Sequence, residues 1–260
     1  MRSLFTYPTF SAMPTDGLAT SLLHLQDEAS LPAVLQSIGL SEPRPVLVLV
    51  GGASKLSPAD FRRVEGLFTQ VLAPLAEALQ LVVVDGGTDA GIMHLIGKAR
   101  SQHHFHFPLV GVAPEGLVHL PHHRVLAADG AALEPNHTHC FLVPGDQWGD
   151  ESSWIARVAT AIAADLPSVT VLINGGEVTW QDAANSVVQQ RPVIVIRGSG
   201  RTADAIAQVL KGGPASDDRV HSLVESGLLR AIDLDTDPAQ LEQILRRLLT
   251  TVPSPSTPQR

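Results

Sequence analysis

The chain has 260 residues, 44% hydrophobic and 17% charged, with a formal net charge of −8 and a single cysteine, Cys140. That length buries roughly three quarters of the unfolded surface, enough for one large α/β domain and short of a second. The acidic balance excludes a general nucleic-acid binder, which needs clustered Lys and Arg. One cysteine permits no intrachain disulfide and fits a reducing compartment, and no apolar run approaches the roughly eighteen residues of a membrane helix. A soluble, cytoplasmic protein with no membrane partner is expected.

Residues 1–44 carry spaced leucines over 22–40, with Pro32 early among them, and predict one or two short amphipathic helices. This N-terminal helical extension is expected to cover a sheet edge. Residues 45–250 then read as one Rossmann-like domain, and 251–260, with three prolines, as a disordered tail.

The first strand, Val46 to Val50, runs into Gly51-Gly52-Ala53-Ser54. Ser57-Pro58 reads as an N-cap followed by proline at the first helical position, and the helix is expected to reach residue 80 with a kink at Pro74. Leu81-Val82-Val83-Val84 has no polar alternation, which marks a strand covered on both faces in the middle of a parallel sheet. Asp85-Gly86-Gly87-Thr88-Asp89 breaks it, with Thr88 or Asp89 as N-cap of the next helix.

Residues 108–116 read as a short strand leaving into a loop, and 124–133 as a hairpin-like segment. Eight of the eleven histidines lie between His103 and His139, but without carboxylate or cysteine partners at ligand spacing no metal site is assigned. Asn136 and His137 lead into an apolar strand and either lock their loop by hydrogen bonds or reach the crevice. Trp148-Gly149-Asp150-Glu151 precedes a helix over 152–164, where an indole stacks on a base or closes the helix end.

Two further buried strands end the same way as the first two. Val169 to Ile173 runs into Asn174-Gly175-Gly176-Glu177, and Val193 to Ile196 into Arg197-Gly198-Ser199-Gly200-Arg201. Each turn taken alone also fits simple helix-on-sheet packing. Four glycine turns at strand ends, each leading into a helix, line one edge of a parallel sheet, where backbone N–H groups and helix dipoles favour an anion. The expected fold is α/β, Rossmann-like and doubly wound, with a mostly parallel sheet and helices on both faces.

The ordered motifs Asp85-Gly86-Gly87-Thr88-Asp89-Ala90-Gly91, Val110-Gly111-Val112-Ala113-Pro114, Glu134-Pro135-Asn136-His137, Trp148-Gly149-Asp150-Glu151, Gly175-Gly176 and Gly198-Ser199-Gly200-Arg201 resemble the cytosolic N-terminal domain of melastatin-type TRP channels. That domain belongs to the SLOG superfamily of Rossmann-like nucleotide binders, related to lysine-decarboxylase-like cytokinin-activating enzymes; the match spans about residues 45–210.

The resemblance implies a soluble binding or sensor protein for ADP-ribose, an NAD-related nucleotide or AMP, with no cofactor required. The four glycine turns themselves offer Gly51, Gly52, Ser54, Gly86, Gly87, Thr88, Asp89, Glu177, Gly198, Ser199 and Gly200 as ligand residues, and the resemblance implies Trp148, Gly175, Gly176 and Arg201. Arg201 would pair with phosphate, and Arg197 is the fallback. Ile155 stands where the channels carry an arginine.

The enzyme relatives carry Pro-Gly-Gly-x-Gly-Thr-x-x-Glu; here Asn174-Gly175-Gly176-Glu177-Val178-Thr179-Trp180-Gln181-Asp182 lacks the first proline and third glycine. Asp182, with Glu177 as helper, is the acid of the alternative reading, a nucleotide phosphoribohydrolase or N-glycosidase. Its side chain is shorter by one C–C bond, about 1.5 Å, and misplacement on that scale costs on the order of a hundredfold in rate. Binding therefore ranks above catalysis. A structural partner protein without ligand is the third reading, and homo-oligomerisation is left open.

Overall fold

The computed structural model describes residues 11–15, 18–52, 57–120 and 128–251. In chain order the strands are β1 (Ser11–Thr15), β2 (Leu18–His24), β3 (Val46–Gly51), β4 (Val82–Asp85), β5 (Leu109–Pro114), β6 (Val118–His119), β7 (Ala131–Ala132), β8 (His139–Val143), β9 (Ser168–Ile173), β10 (Val193–Arg197) and β11 (Leu229–Asp233). The α-helices are α1 (Leu31–Ser37), α2 (Pro58–Leu67), α3 (Ala73–Ala78), α4 (Gly91–Gln102), α5 (Ser152–Ala163), α6 (Glu177–Val188), α7 (Arg201–Leu210), α8 (Arg219–Glu225) and α9 (Pro238–Thr250).

Nine strands form one sheet in the order β1-β2-β8-β5-β4-β3-β9-β10-β11, so β4 does lie in the middle. Every neighbouring pair is parallel except β1 with β2. Along β3, Val46, Val48 and Val50 face a core closed by α1, α5, α6, α7 and α8, while Leu47 and Leu49 face one closed by α2, α3, α4 and α9. Burying each such side chain contributes about 1.5–3 kcal/mol, which is why these strands are apolar at every position. The architecture is the doubly wound Rossmann-like fold expected. Among the described residues no helix is long and apolar enough to cross a membrane.

Three local expectations are corrected. Residues 18–24 are a strand, and the only α-helix between residues 18 and 44 is α1. Parallel pairing of Ser21 to His24 with β8, and a hydrogen bond from Thr20 Oγ1 to the His137 carbonyl (2.7 Å), override the helical spacing of the leucines. The segment therefore widens the sheet as well as covering it.

Ser57 caps α2 as expected, its Oγ accepting from Asp60 N at 3.1 Å, but the helix does not continue with a simple kink. A π-helical stretch, Phe68–Leu72, separates it from α3. The wider turn meets Pro74, which has no N–H to give and would crowd the carbonyl four residues back.

The N-cap of α4 is Ala90, without a side-chain cap bond. Thr88 instead forms an antiparallel bridge with Leu133, and Asp89 N donates to the Ala132 carbonyl at 2.8 Å. The hairpin-like expectation falls partly on residues 121–127, outside the described residues. Within its described part, 128–133, β7 pairs in parallel with β6, which lies before the segment.

Those contacts place residues 131–138 as a cover over the turn after β4, and a buried charge cluster holds it there. His137 Nε2 lies 2.9 Å from Asp85 Oδ1 and Nδ1 lies 2.8 Å from Glu134 Oε2, all three side chains being 1% exposed or less. Glu134 also accepts from Asn136 N (2.9 Å) and Nδ2 (2.6 Å), and Asp85 Oδ1 from Gly87 N (2.8 Å). Asn136 and His137 thus lock their loop. A Cβ at Gly97 of α4 would stand 2.1 Å from the Glu134 carboxyl carbon, so only glycine leaves room for that carboxylate.

Burial alone would lower the imidazole pKa, but the Asp85 and Glu134 carboxylates outweigh it and raise the value to about 9. With an acceptor on each ring nitrogen, His137 is an imidazolium. Its stabilisation is complete below the unfolded pKa of about 6.5 and is lost as pH rises through about 9. His137→Gln should cost about 3–5 kcal/mol near pH 6, the usual cost of breaking a buried pair. Urea denaturation of both proteins from pH 6 to 9.5 should show that gap narrowing; a gap independent of pH would mean that His137 is held neutral.

Candidate ligand-binding site

The chain runs outward from β3 through β4 and β5, then returns to the other side of β3 to build β9, β10 and β11. The switch point lies between β3 and β9, and the loops leaving their C-terminal ends diverge there to open a crevice. Gly51 has φ +119°, and a Cβ on it would stand 2.0 Å from the Ile173 carbonyl oxygen, which accepts from Gly52 N at 3.0 Å. Ser54 lies outside the described residues.

The loops after β9 and β10 are welded into one unit. Asn174, buried and at φ +56°, receives Gly175 N on its Oδ1 (2.8 Å) and donates Nδ2 to the Ser199 carbonyl (2.7 Å). Its own N–H goes to Ser199 Oγ at 2.7 Å, and its carbonyl accepts from Ala203 N at 2.9 Å. Gly176 N is taken by Thr179 Oγ1 (3.0 Å), and the Gly176 carbonyl by Thr202 Oγ1 (3.0 Å). Gly198 N is likewise held, by Asp204 Oδ1 at 2.6 Å. With the amides of Gly175, Gly176 and Gly198 taken, the first-turn amides of α6 at Glu177 and Val178 are among the donors a ligand could use.

Arg201, the first residue of α7, has φ +51° after Gly200 at +95°. Its guanidinium lies beside Gly176, Nη2 being 3.1 Å from where a Cβ there would be. A left-handed non-glycine residue placing a cation at a helix N-terminus runs against both sterics and the helix dipole.

The turn before α5 closes the other side of α6. Trp148 Nε1 donates to the Asp129 carbonyl at 3.1 Å, and a Cβ on Gly149 would stand 3.0 Å from Gln181 Oε1. Glu151 folds back to accept from Gly149 N at 2.7 Å. Gly175, Gly176, Glu177 and Arg201 therefore collect around the first turn of α6, with Gly149 against Gln181 one turn further on and Gly51 and Gly52 behind them across the β3–β9 pairing, while the Trp148 indole is tied to Asp129.

Gly86, Gly87, Thr88 and Asp89 are placed differently, under residues 131–138. The Gly87 carbonyl accepts from Glu134 N (3.0 Å), and the Asp89 carboxylate meets His94 Nδ1 at 2.7 Å. Arg197 forks onto the Asp233 carboxylate and faces a cavity of about 430 Å³ beyond Gly198, shared with Arg63 and Asp235.

Asp182 is 8% exposed and sits against α5, hydrogen-bonded to the Ser152 side chain, whose Oγ also accepts from Asn185 Nδ2 at 3.0 Å. Its Oδ1 has no hydrogen-bond partner. Burial raises its pKa to about 7, with Glu151 adding to the rise and the Ser152 hydrogen bond opposing it; burial raises that of Glu151 too.

One residue at the site went unseen in the sequence. Arg219, at the start of α8, forks onto the Glu177 carboxylate, pairs with Asp217 and stacks over Trp180 with its guanidinium carbon 5.1 Å from the ring centroid. The available signal was the same as for Arg201, an arginine at a helix N-terminus where the dipole disfavours it.

The family model described as "SLOG in TRPM, prokaryote" matches residues 44–243. Transient receptor potential cation channel subfamily M member 2 of Mus musculus is 27% identical over 209 residues, which are 67% of this chain and 14% of the channel. The Rattus norvegicus channel is 25% identical over 222 residues, 71% of this chain and 15% of the channel. The chain thus spans about a seventh of the length of these channels. Two solved structures share the fold. The X-ray structure of TM1055 has a TM-score of 0.51 at 21% identity, covering 78% of this chain and 98% of its own. The molybdenum cofactor binding protein of Rippkaea orientalis has 0.50 at 14%, covering 81% and 100%.

Because the folded pKa of Asp182 is raised, its contribution to stability is complete below the unfolded value of about 4 and is lost as pH rises through about 7. The melting temperature of the native protein relative to Asp182→Asn should fall as pH goes from 4.5 to 7 and level off above. A difference that is flat over that range would place an ionised, compensated carboxylate there.

Proposed function

The chain belongs to the prokaryotic family of SLOG domains related to TRPM channels, and on that premise we propose that it is a cytoplasmic binding or sensor protein for an adenine nucleotide or an NAD-derived, ADP-ribose-like ligand. The observation that carries this reading is the placement of the Arg201 guanidinium against the Gly175-Gly176 turn at the N-terminus of α6, at the switch point of the sheet. A phosphate group would take the α6 amides and the Arg201 guanidinium, and the Trp148 indole would offer a stacking face to the base. The welding of the 174–176 and 198–203 loops supports it, since a rigid cradle loses little entropy on binding.

Isothermal titration with ADP-ribose, NAD, cyclic ADP-ribose and AMP should give saturable heat with at least one; no heat and no thermal shift with any would leave the structural-partner reading. Arg201→Ala should weaken the ligand at least tenfold, because a guanidinium on phosphate contributes about 1.5–3 kcal/mol. Arg201→Lys should recover only part, lacking the fork. Unchanged affinity in the alanine variant would move the phosphate elsewhere in the crevice.

A second reading is favoured by one observation: Asp182, a turn beyond Gly176 on α6, has a pKa raised to about 7, the range of a general acid. It is that of a nucleotide phosphoribohydrolase. The enclosure of Asp182 against Ser152 ranks it below binding. Incubation with AMP and N6-substituted AMP should leave both intact by chromatography; free base, lost in Asp182→Asn, would reverse the ranking.

A further inference from the structure

From Arg219 we infer a second anion subsite beside Arg201 that makes the pocket selective for a diphosphate over a monophosphate; this rests on the nucleotide reading above. Arg201 lies against Gly176 and Arg219 against Glu177, so two guanidiniums bracket adjacent residues at the first turn of α6. They reach it from different helices, α7 and α8. A single phosphate can be met by Arg201 and the α6 amides alone, whereas a second phosphate extends toward Arg219.

What holds Arg219 and what it holds are separable. Its guanidinium is seated on the Trp180 ring, which is 7% exposed, and is tied to Asp217. Glu177 is its third partner, and the Glu177 side chain is 77% exposed. Exposed ion pairs are weak because water and salt screen them, so the Glu177 carboxylate is the partner that an incoming anion displaces. Trp180 is one turn along α6 from Glu177 and on the same face, so the cation stays at the mouth of the site after Glu177 swings out. In the unliganded protein Glu177 stands in for the second phosphate.

Titration of the full chain with AMP, ADP and ADP-ribose tests this. The native protein should bind both diphosphates at least tenfold more tightly than AMP. Arg219→Gln should remove most of that preference while changing AMP affinity less than about twofold, and Arg219→Lys should restore a part of it. Glu177→Gln should raise ADP affinity several-fold by deleting the competing carboxylate. Circular dichroism and melting of Arg219→Gln control for folding, because a collapse of the 211–218 loop would weaken all three ligands alike. Equal losses for AMP and ADP, or a preference unchanged by Arg219→Gln, overturn the diphosphate subsite and leave nucleotide binding standing. Failure of the native protein to bind any of the three removes both.

Discussion

A buried imidazolium organises one half of this molecule. His137 lies between Asp85, at the end of the central strand, and Glu134, in the segment that covers the turn beyond it. A carboxylate taken out of water without a partner costs several kcal/mol, and two of them side by side would not persist. Protonated His137 gives each of them an N–H donor and offsets one of the two charges. The same contact fixes residues 131–138 over Gly87, demands a glycine at position 97, and delivers the chain to β8 in register with both β5 and β2. The left half of the sheet depends on it.

The other half is organised by hydrogen bonds between loops. There Asn174 and Ser199 exchange hydrogen bonds between two loops, and the N-terminus of α6 becomes the point where β9, β10, the turn before α5 and the start of α8 meet. The two halves use glycine for different ends. In the first, glycine makes room for a carboxylate and a covering segment; in the second, it brings backbone close to backbone at Ile173 and leaves space beside Gly176 for an arginine. Charge is treated differently as well. The cluster at His137 is closed to solvent, so its ion pairs are permanent, whereas the arginines near α6 sit at the surface, where their partners can be exchanged.

Much of this was legible from residue pattern. Apolar runs without alternation marked β3, β4, β9 and β10, because a strand covered on both faces has no solvent side to fill with polar residues. Ser57-Pro58 marked a helix start, and the ordered glycine motifs marked the family. Of the residues named from sequence, Arg201 lies against Gly176 beside Glu177, at the first turn of α6. Residues 22–24 misled because spaced leucines satisfy a helix and a strand paired on both sides equally well, and only the pairing with β1 and β8 decides.

What the sequence determined by itself is therefore the local alternation of buried strand, glycine turn and helix, since these follow from short-range sterics and from hydrophobic burial. Only the tertiary structure decided which turns open at the switch point of the sheet and which are covered. Asp85-Gly86-Gly87 and Asn174-Gly175-Gly176 look alike as strings, but one is closed by a segment some fifty residues further on and the other opens at the point where strand order reverses. Long-range partners such as His137 on Asp85, Ser152 on Asp182 and Arg219 on Glu177 leave no periodic trace, because side-chain pairing across the fold depends on where the backbone brings distant residues and not on their spacing along the chain.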